Sequence, residues 1–158
     1  MKRDFFYGNN APYVPSDADV VERVMEMAEV KKGDVVYDLG AGDGRFVLAA
    51  AMKGASAVGV ELNLLRSIYA RVWFRILRID KTAKIIRQDI FKTDLSKATV
   101  VICYLLQETN DALQKKLEKE LKPGTKVISI AFKFAGWKEV KFDGRGVVYG
   151  PIRMYEIE

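Results

Sequence analysis

Residues 35–44 constrain this chain more than any other stretch, because a strand there runs into a carboxylate and then into three alternate glycines. Val35, Val36 and Tyr37 are β-branched or aromatic and favour extended backbone. Asp38 and Leu39 follow, then Gly40, Gly42 and Gly44, interleaved with Ala41 and Asp43. Behind them residues 46–52 form an apolar run of helical character. Glycine lacks a Cβ, so such a turn tolerates positive φ and lets the backbone come close to a ligand. Strand, glycine turn and helix together make the first half of a nucleotide-binding α/β unit.

The glycine spacing selects among ligands. The dinucleotide fingerprint G-x-G-x-x-G needs a third glycine where this chain has Arg45, and no G-x-x-x-x-G-K-[ST] phosphate loop is present. D-x-G-x-G-x-G does fit, from Asp38 to Gly44. An acid at a strand end beside a glycine loop suits a cationic or amino-bearing ligand with no phosphate to neutralise. This pattern resembles the S-adenosylmethionine-binding motif of class I, seven-strand methyltransferases. The bland alternative is a tight strand–helix turn with a capping acid.

The rest of the chain alternates strands and helices. A helix is expected after Ser16, its N-cap, with Val20, Val21, Val24, Met25 and Ala28 at helical spacing. Further helices are expected over 44–53, ending at Gly54, over 64–79 and over 109–121. Strands are expected over 35–39, 56–61, 83–89, 99–106 and 125–132, with two more over 138–143 and 147–157 around Gly144, Arg145 and Gly146 and no helix between them. In the helix over 64–79, Leu65, Ile68, Tyr69, Val72, Trp73 and Ile76 are expected inward, and Arg71, Arg75 and Arg78 on a solvated outer face. The layout is that of an α/β fold: a doubly wound, mostly parallel seven-strand sheet with an antiparallel C-terminal hairpin. One domain over 1–158 is expected, with 1–15 an aromatic N-terminal arm.

Composition removes several chemistries. There is no histidine and a single cysteine, Cys103, so neither a zinc site of ordinary N/S type nor a Ser-His-Asp arrangement is available, and no metal is expected. Cys103 lies inside an apolar strand, a poor place for a nucleophile. A lone cysteine and a start without an apolar h-region point to the cytoplasm. No apolar run reaches the ~18–20 residues of a membrane span, so no membrane partner is expected. The net charge of +5 is a mild excess that permits a nucleic-acid partner without requiring one.

In an open α/β sheet the ligand lies across the carboxyl ends of the strands. Asp38, Glu61 and Asp89 each end a successive expected strand, and Tyr104 lies in the fourth. Glu61 stands 23 residues after Asp38, close to the spacing at which a second-strand acid accepts both ribose hydroxyls. Asp89 is placed to accept from an adenine amine, with Ile90 against the ring. Asn63 offers either a ligand contact or a helix cap. Gly40, Ala41 and Gly42 bring backbone to the cofactor.

A narrower resemblance spans residues 11–140. It rests on Pro12, Tyr13, Val14, Pro15 and Ser16; on Val36 to Gly40 with Gly42 to Arg45; on Val58, Gly59, Val60 and Glu61; on Ala98 to Leu106; on Lys115 to Thr125; and on Gly136 and Trp137. These segments resemble the small archaeal protein-lysine methyltransferases, relatives of the mitochondrial enzymes that methylate a lysine of an ATP synthase subunit. The resemblance implies methyl transfer from S-adenosylmethionine to lysine ε-amines of proteins, with broad specificity. It suggests Tyr104 as the residue lining the acceptor channel and Tyr13 as closing over the methionine end of the cofactor. One departure stands out: relatives tend to have Ser-His-acid-Phe where this chain has Ser129, Ile130, Ala131 and Phe132. Two alternatives stay open, an RNA or small-molecule methyltransferase and a non-catalytic cofactor-binding partner protein. A monomer is expected.

Overall fold

A computed structural model describes residues 16–145 and 148–158. In chain order the elements are α1 (Ala18–Met27), β1 (Val35–Leu39), α2 (Arg45–Met52), β2 (Ser56–Val60) and α3 (Leu64–Ile76). Then come β3 (Ala83–Ile86), β4 (Val100–Cys103), α4 (Gln107–Glu120), β5 (Lys126–Ile130), β6 (Lys141–Asp143) and β7 (Ile152–Glu156). One seven-stranded sheet takes the order β3-β2-β1-β4-β5-β7-β6. The first five in that order are parallel neighbours, β7 runs antiparallel to β5, and β6 antiparallel to β7. This is the doubly wound layout expected, and the strand order reverses between β1 and β4, which opens the crevice there.

The central strands are apolar on both sides because helices cover both faces. Val36, Leu39, Val101, Ile102, Val127 and Ile128 have essentially no solvent exposure. One core gathers α1, α2 and α3: Val20, Val24 and Met25 meet Phe46, Val47, Ala70 and Phe74. The other gathers α4 through Leu113 and Leu117 with Leu39, Val60 and Phe134. Each such side chain taken out of water contributes roughly 1.5–3 kcal/mol. On the α4 side the chain between β3 and β4 makes turns, not a helix, so this layer is thin.

Several boundaries differ from expectation. Asp17, not Ser16, occupies the cap position of α1, and its side chain makes no cap bond; Ser16 is buried. Strand β3 stops at Ile86 and β4 at Cys103, so Asp89 and Tyr104 stand in the loops beyond. The end of α2 follows the expected pattern, with Gly54 at φ 85° just beyond it.

The largest departure is α3. Leu65, Ile68, Tyr69, Val72, Trp73 and Ile76 do not face inward; they are exposed, Leu65 at 77% and Ile76 at 63%. Ser67, Ala70 and Phe74 face the sheet instead. Small residues on that row let the helix sit close over the glycine turn. A Cβ on Gly44 would lie 2.7 Å from Phe74 Cζ and 3.3 Å from Ala70 Cβ. The sheet and α2 take α3 by its narrow side and leave the broad apolar side outward.

Candidate active site

The glycine turn is held to β2 by its backbone. Gly40 and Ala41 both donate to the Val60 carbonyl, at 2.9 and 3.0 Å. Gly40, Gly42 and Gly44 all have positive φ, and Gly44 is the left-handed residue from which α2 starts. Gly40 also abuts the loop after β4, where a Cβ would lie 3.0 Å from Leu105 Cδ2.

Glu61, just past β2, is 6% exposed and faces this turn. Its Oε2 accepts the Gly42 N–H at 2.8 Å and its Oε1 accepts the Asn63 N–H at 2.8 Å. Asn63 in turn caps α3, its Oδ1 accepting the Arg66 N–H at 3.1 Å. Of the two roles expected for Asn63, its side chain takes the cap.

Asp38 is the unusual group. It lies opposite Gly59 on β2 and Ile102 on β4 and is 3% exposed. Its Oδ2 is buried and has no hydrogen-bond partner among the described residues. Burial, with Glu61 and then Asp43 adding repulsion, raises its pKa from 3.8 to about 8. A carboxyl so placed fits a ligand that brings its own positive or hydrogen-donating group.

Beyond β3 the Asp89 Oδ1 accepts the Phe91 N–H at 2.9 Å, while its carbonyl accepts from Lys92 and Thr93. Asp89 thus shapes its own loop, and Ile90 packs beside it on the core under α4. Tyr104, half-buried, packs on the core under α1 to α3, and burial raises its phenol pKa. Cys103 is fully buried, and burial pushes its thiol far up, away from thiolate chemistry. Tyr13 lies outside the described residues.

The structure therefore brings Asp38, Gly40, Ala41, Gly42, Glu61 and Asn63 together in one cluster, with Tyr104 and Asp89 following adjacent strands. Two neighbours escape sequence reasoning. Arg45 donates through Nε to Asp43 Oδ1 at 3.0 Å and through Nη1 to the Ser16 carbonyl, tying the glycine turn to the start of α1. Tyr149, between β6 and β7, bonds Asp17, which with burial raises its pKa, and Tyr104 adds to the rise. Arg45 carries a faint signal, as the residue replacing the fingerprint glycine. Tyr149 carries none, since only the sheet order brings it near.

An orphaned buried carboxylate, and a second carboxylate gripping a glycine turn, meet at the switch point of a sheet with the class I, Rossmann-like methyltransferase fold, whose cofactor is S-adenosylmethionine. Residues 38–141 match the model of the ANTKMT methyltransferase domain, and the chain belongs to that family. It is 45% identical to a protein-lysine N-methyltransferase of Saccharolobus islandicus, across 85% of this chain and 86% of that one. It is 36% identical to the human lysine N-methyltransferase named for an ATP synthase subunit, across 86% of this chain but 58% of the human one. Among solved structures it superposes on an RNA methyltransferase from Salinibacter ruber in complex with S-adenosyl-L-homocysteine. That match has a TM-score of 0.85 and 34% identity, and covers 91% of this chain and 94% of that one. The unpartnered oxygen of Asp38 and the glycine turn beside it fit such a group.

Proposed function

We propose that this chain transfers the methyl group of S-adenosylmethionine to lysine ε-amines on a range of proteins, as a cytoplasmic monomer. The observation that carries this reading is the 45% identity to a protein-lysine N-methyltransferase across nearly the whole length of both chains. The site geometry agrees with it. Asp38 receives the amino group of the methionine end, and its buried, unpartnered oxygen is what such a cation would ionise. Glu61 keeps lone pairs for the ribose hydroxyls while its backbone bonds fix its direction. Asp89 and Ile90 take the adenine.

When bound, the cofactor supplies a methyl carbon on a sulfonium, open to an amine lone pair as its carbon–sulfur bond breaks. Tyr104, next to the Leu105 that covers Gly40, lines the approach and aims the amine. Positioning of this kind supplies much of the rate in a two-reactant step. The attacking lysine must first lose its proton, and the partly buried Tyr104, whose phenol pKa burial raises, places no anion there to hold the ammonium. Between β3 and β4 the chain makes turns and no helix, which favours an acceptor side suited to a folded protein.

A second reading, transfer to RNA, draws on the likeness to the Salinibacter RNA methyltransferase. Tritiated S-adenosylmethionine incubated with purified chain and cell lysate separates the readings. Label in protein bands, recovered as methyllysine after hydrolysis, is expected. Label removed by ribonuclease and absent from protein would replace the lysine reading, and no label at all would make the chain a binding protein.

A further inference from the structure

We propose that the outward face of α3 is a docking surface for an anionic lipid bilayer. The observation is a helix buried by its narrow side. At the α-helical 3.6 residues per turn, Leu65, Val72 and Ile76 fall within about 40° of one another, and they point away from the row formed by Ser67, Ala70 and Phe74. They are 77%, 52% and 63% exposed. Ile68 flanks them on one side; Tyr69 and Trp73 flank them on the other, edge to face at 6.1 Å. Behind the aromatic pair a groove of about 660 Å³ runs over α2, with Leu48, Met52 and Leu77 in its walls. Met52 and Leu77 are themselves 76% and 45% exposed, so the apolar surface continues past the helix.

The charges around this surface choose its occupant. From Leu62 to Ile79 the chain has Arg66, Arg71, Arg75 and Arg78 and no carboxylate. Arg71 and Arg75 line one edge of the apolar stripe, Arg78 follows just beyond the helix end, and Arg66, its Nη1 4.0 Å from Glu61 Oε1, stands on the other edge. Arg71 keeps its Nε on the Ile85 carbonyl at 3.0 Å, which holds that row along the rim of the sheet. A helix with aliphatic residues at its crest, Trp and Tyr beside them and arginines at the shoulders has the amphipathic form that lies in a bilayer interface. The crest enters the acyl boundary, and the guanidiniums meet anionic headgroups, each contributing to attraction that falls with salt.

Other occupants fit less well. A second copy laid on the same face would bring two arginine rows together with no α3 carboxylate between them. A nucleic acid needs charge at the crest, and here the crest is aliphatic. That no helix among the described residues can cross a membrane concerns crossing only. The expectation of no membrane partner rests on the lack of a run long enough to span, which does not bear on a helix lying in the interface. Since α3 starts three residues after Glu61, a chain lying on this face holds its cofactor end near the bilayer plane.

Flotation of the full chain with vesicles of phosphatidylcholine alone, or mixed with phosphatidylglycerol, tests the proposal. At low salt the chain should float with the anionic vesicles at least ~10-fold more than with the neutral ones, and release as salt rises. Trp73 emission should shift to the blue on binding. Val72→Glu with Ile76→Glu should cut flotation by ~10-fold or more, and Arg75→Gln with Arg78→Gln should flatten the salt dependence. All four positions are exposed, so circular dichroism and methyl transfer to a soluble acceptor should stay at wild-type level. If the double glutamate variant folds poorly, Leu65→Glu alone repeats the measurement. The proposal is overturned by no preference for anionic vesicles, by glutamate variants that float like wild type, by a dimer that the same variants dissociate, or by RNA competing the chain off vesicles.

Discussion

Glu61 holds Gly42 from the neighbouring strand, its Oε2 taking the Gly42 N–H at 2.8 Å while its other oxygen takes Asn63. One carboxylate therefore sets both the glycine turn and the start of α3. Glu61→Gln leaves one of the two N–H groups facing an amide that cannot accept from it. We expect about 1–2 kcal/mol of lost stability and at least ~10-fold weaker cofactor binding, read by calorimetric titration. Binding at wild-type strength would remove Glu61 from the ribose site.

Asp38 links the cofactor site to pH. Its folded pKa, about 8, lies above the ordinary 3.8 because of burial first and Glu61 second. The folded chain then holds a proton that the unfolded chain gives up, so stability falls as pH rises through that window. Asp38→Asn removes the titration. Thermal melts of the ligand-free variant and wild type should diverge by up to roughly 1.4 kcal/mol per pH unit between those two values, the variant being the more stable. The same variant should bind S-adenosylmethionine at least ~10-fold more weakly, since an amide cannot ionise against an ammonium.

Tyr104 separates packing from chemistry. Tyr104→Phe keeps the ring on the core and removes the hydroxyl. The expected result is a kcat lower by roughly tenfold, with cofactor KM little changed. Equal loss in KM and none in kcat would make it a cofactor contact.

Gly59 carries no ligand, yet the site needs it. A Cβ there would lie 2.7 Å from Ala41 Cβ and 2.8 Å from Val47 Cγ2. Gly59→Ala is expected to cost about 1–3 kcal/mol by overpacking and to push Ala41 out of the turn. A lowered Tm together with weaker cofactor binding is the signature to look for.

Arg78 takes φ 56° just beyond the last turn of α3, a conformation that costs a non-glycine residue about 1–2 kcal/mol. Arg78→Gly should raise stability by about 0.5–1 kcal/mol, part of the gain being lost to the freer unfolded chain. Chemical denaturation reads this directly.

The strand–glycine–helix unit was legible because chemistry and backbone demand meet in the same few residues, Asp38 to Gly44. Asp38, Glu61 and the turn glycines come together as the motif requires. Asn63 and Asp89 were ambiguous for a physical reason: a short polar side chain after a strand can bind a ligand or its own backbone, and both bind backbone here. The orientation of α3 was not legible. Most of its circumference is apolar, so periodicity cannot say which arc meets the sheet. Ala70, which looks like a poor core residue, and Phe74 decide it through the close approach to Gly44. Tyr149 was invisible because its neighbour Tyr104 lies far off along the chain.

The placing of β7 between β5 and β6 sets an order of events during synthesis. Among the described residues, β6 pairs with β7 alone and waits unpaired until Ile152–Glu156 leave the ribosome. Until then β5, all apolar but for Lys126 and Ser129, presents a bare edge to any other nascent chain. A chain stalled before Ile152 would thus lose two strands at once and offer a sticky third, which makes the interval before β7 emerges the moment of greatest exposure to misassembly.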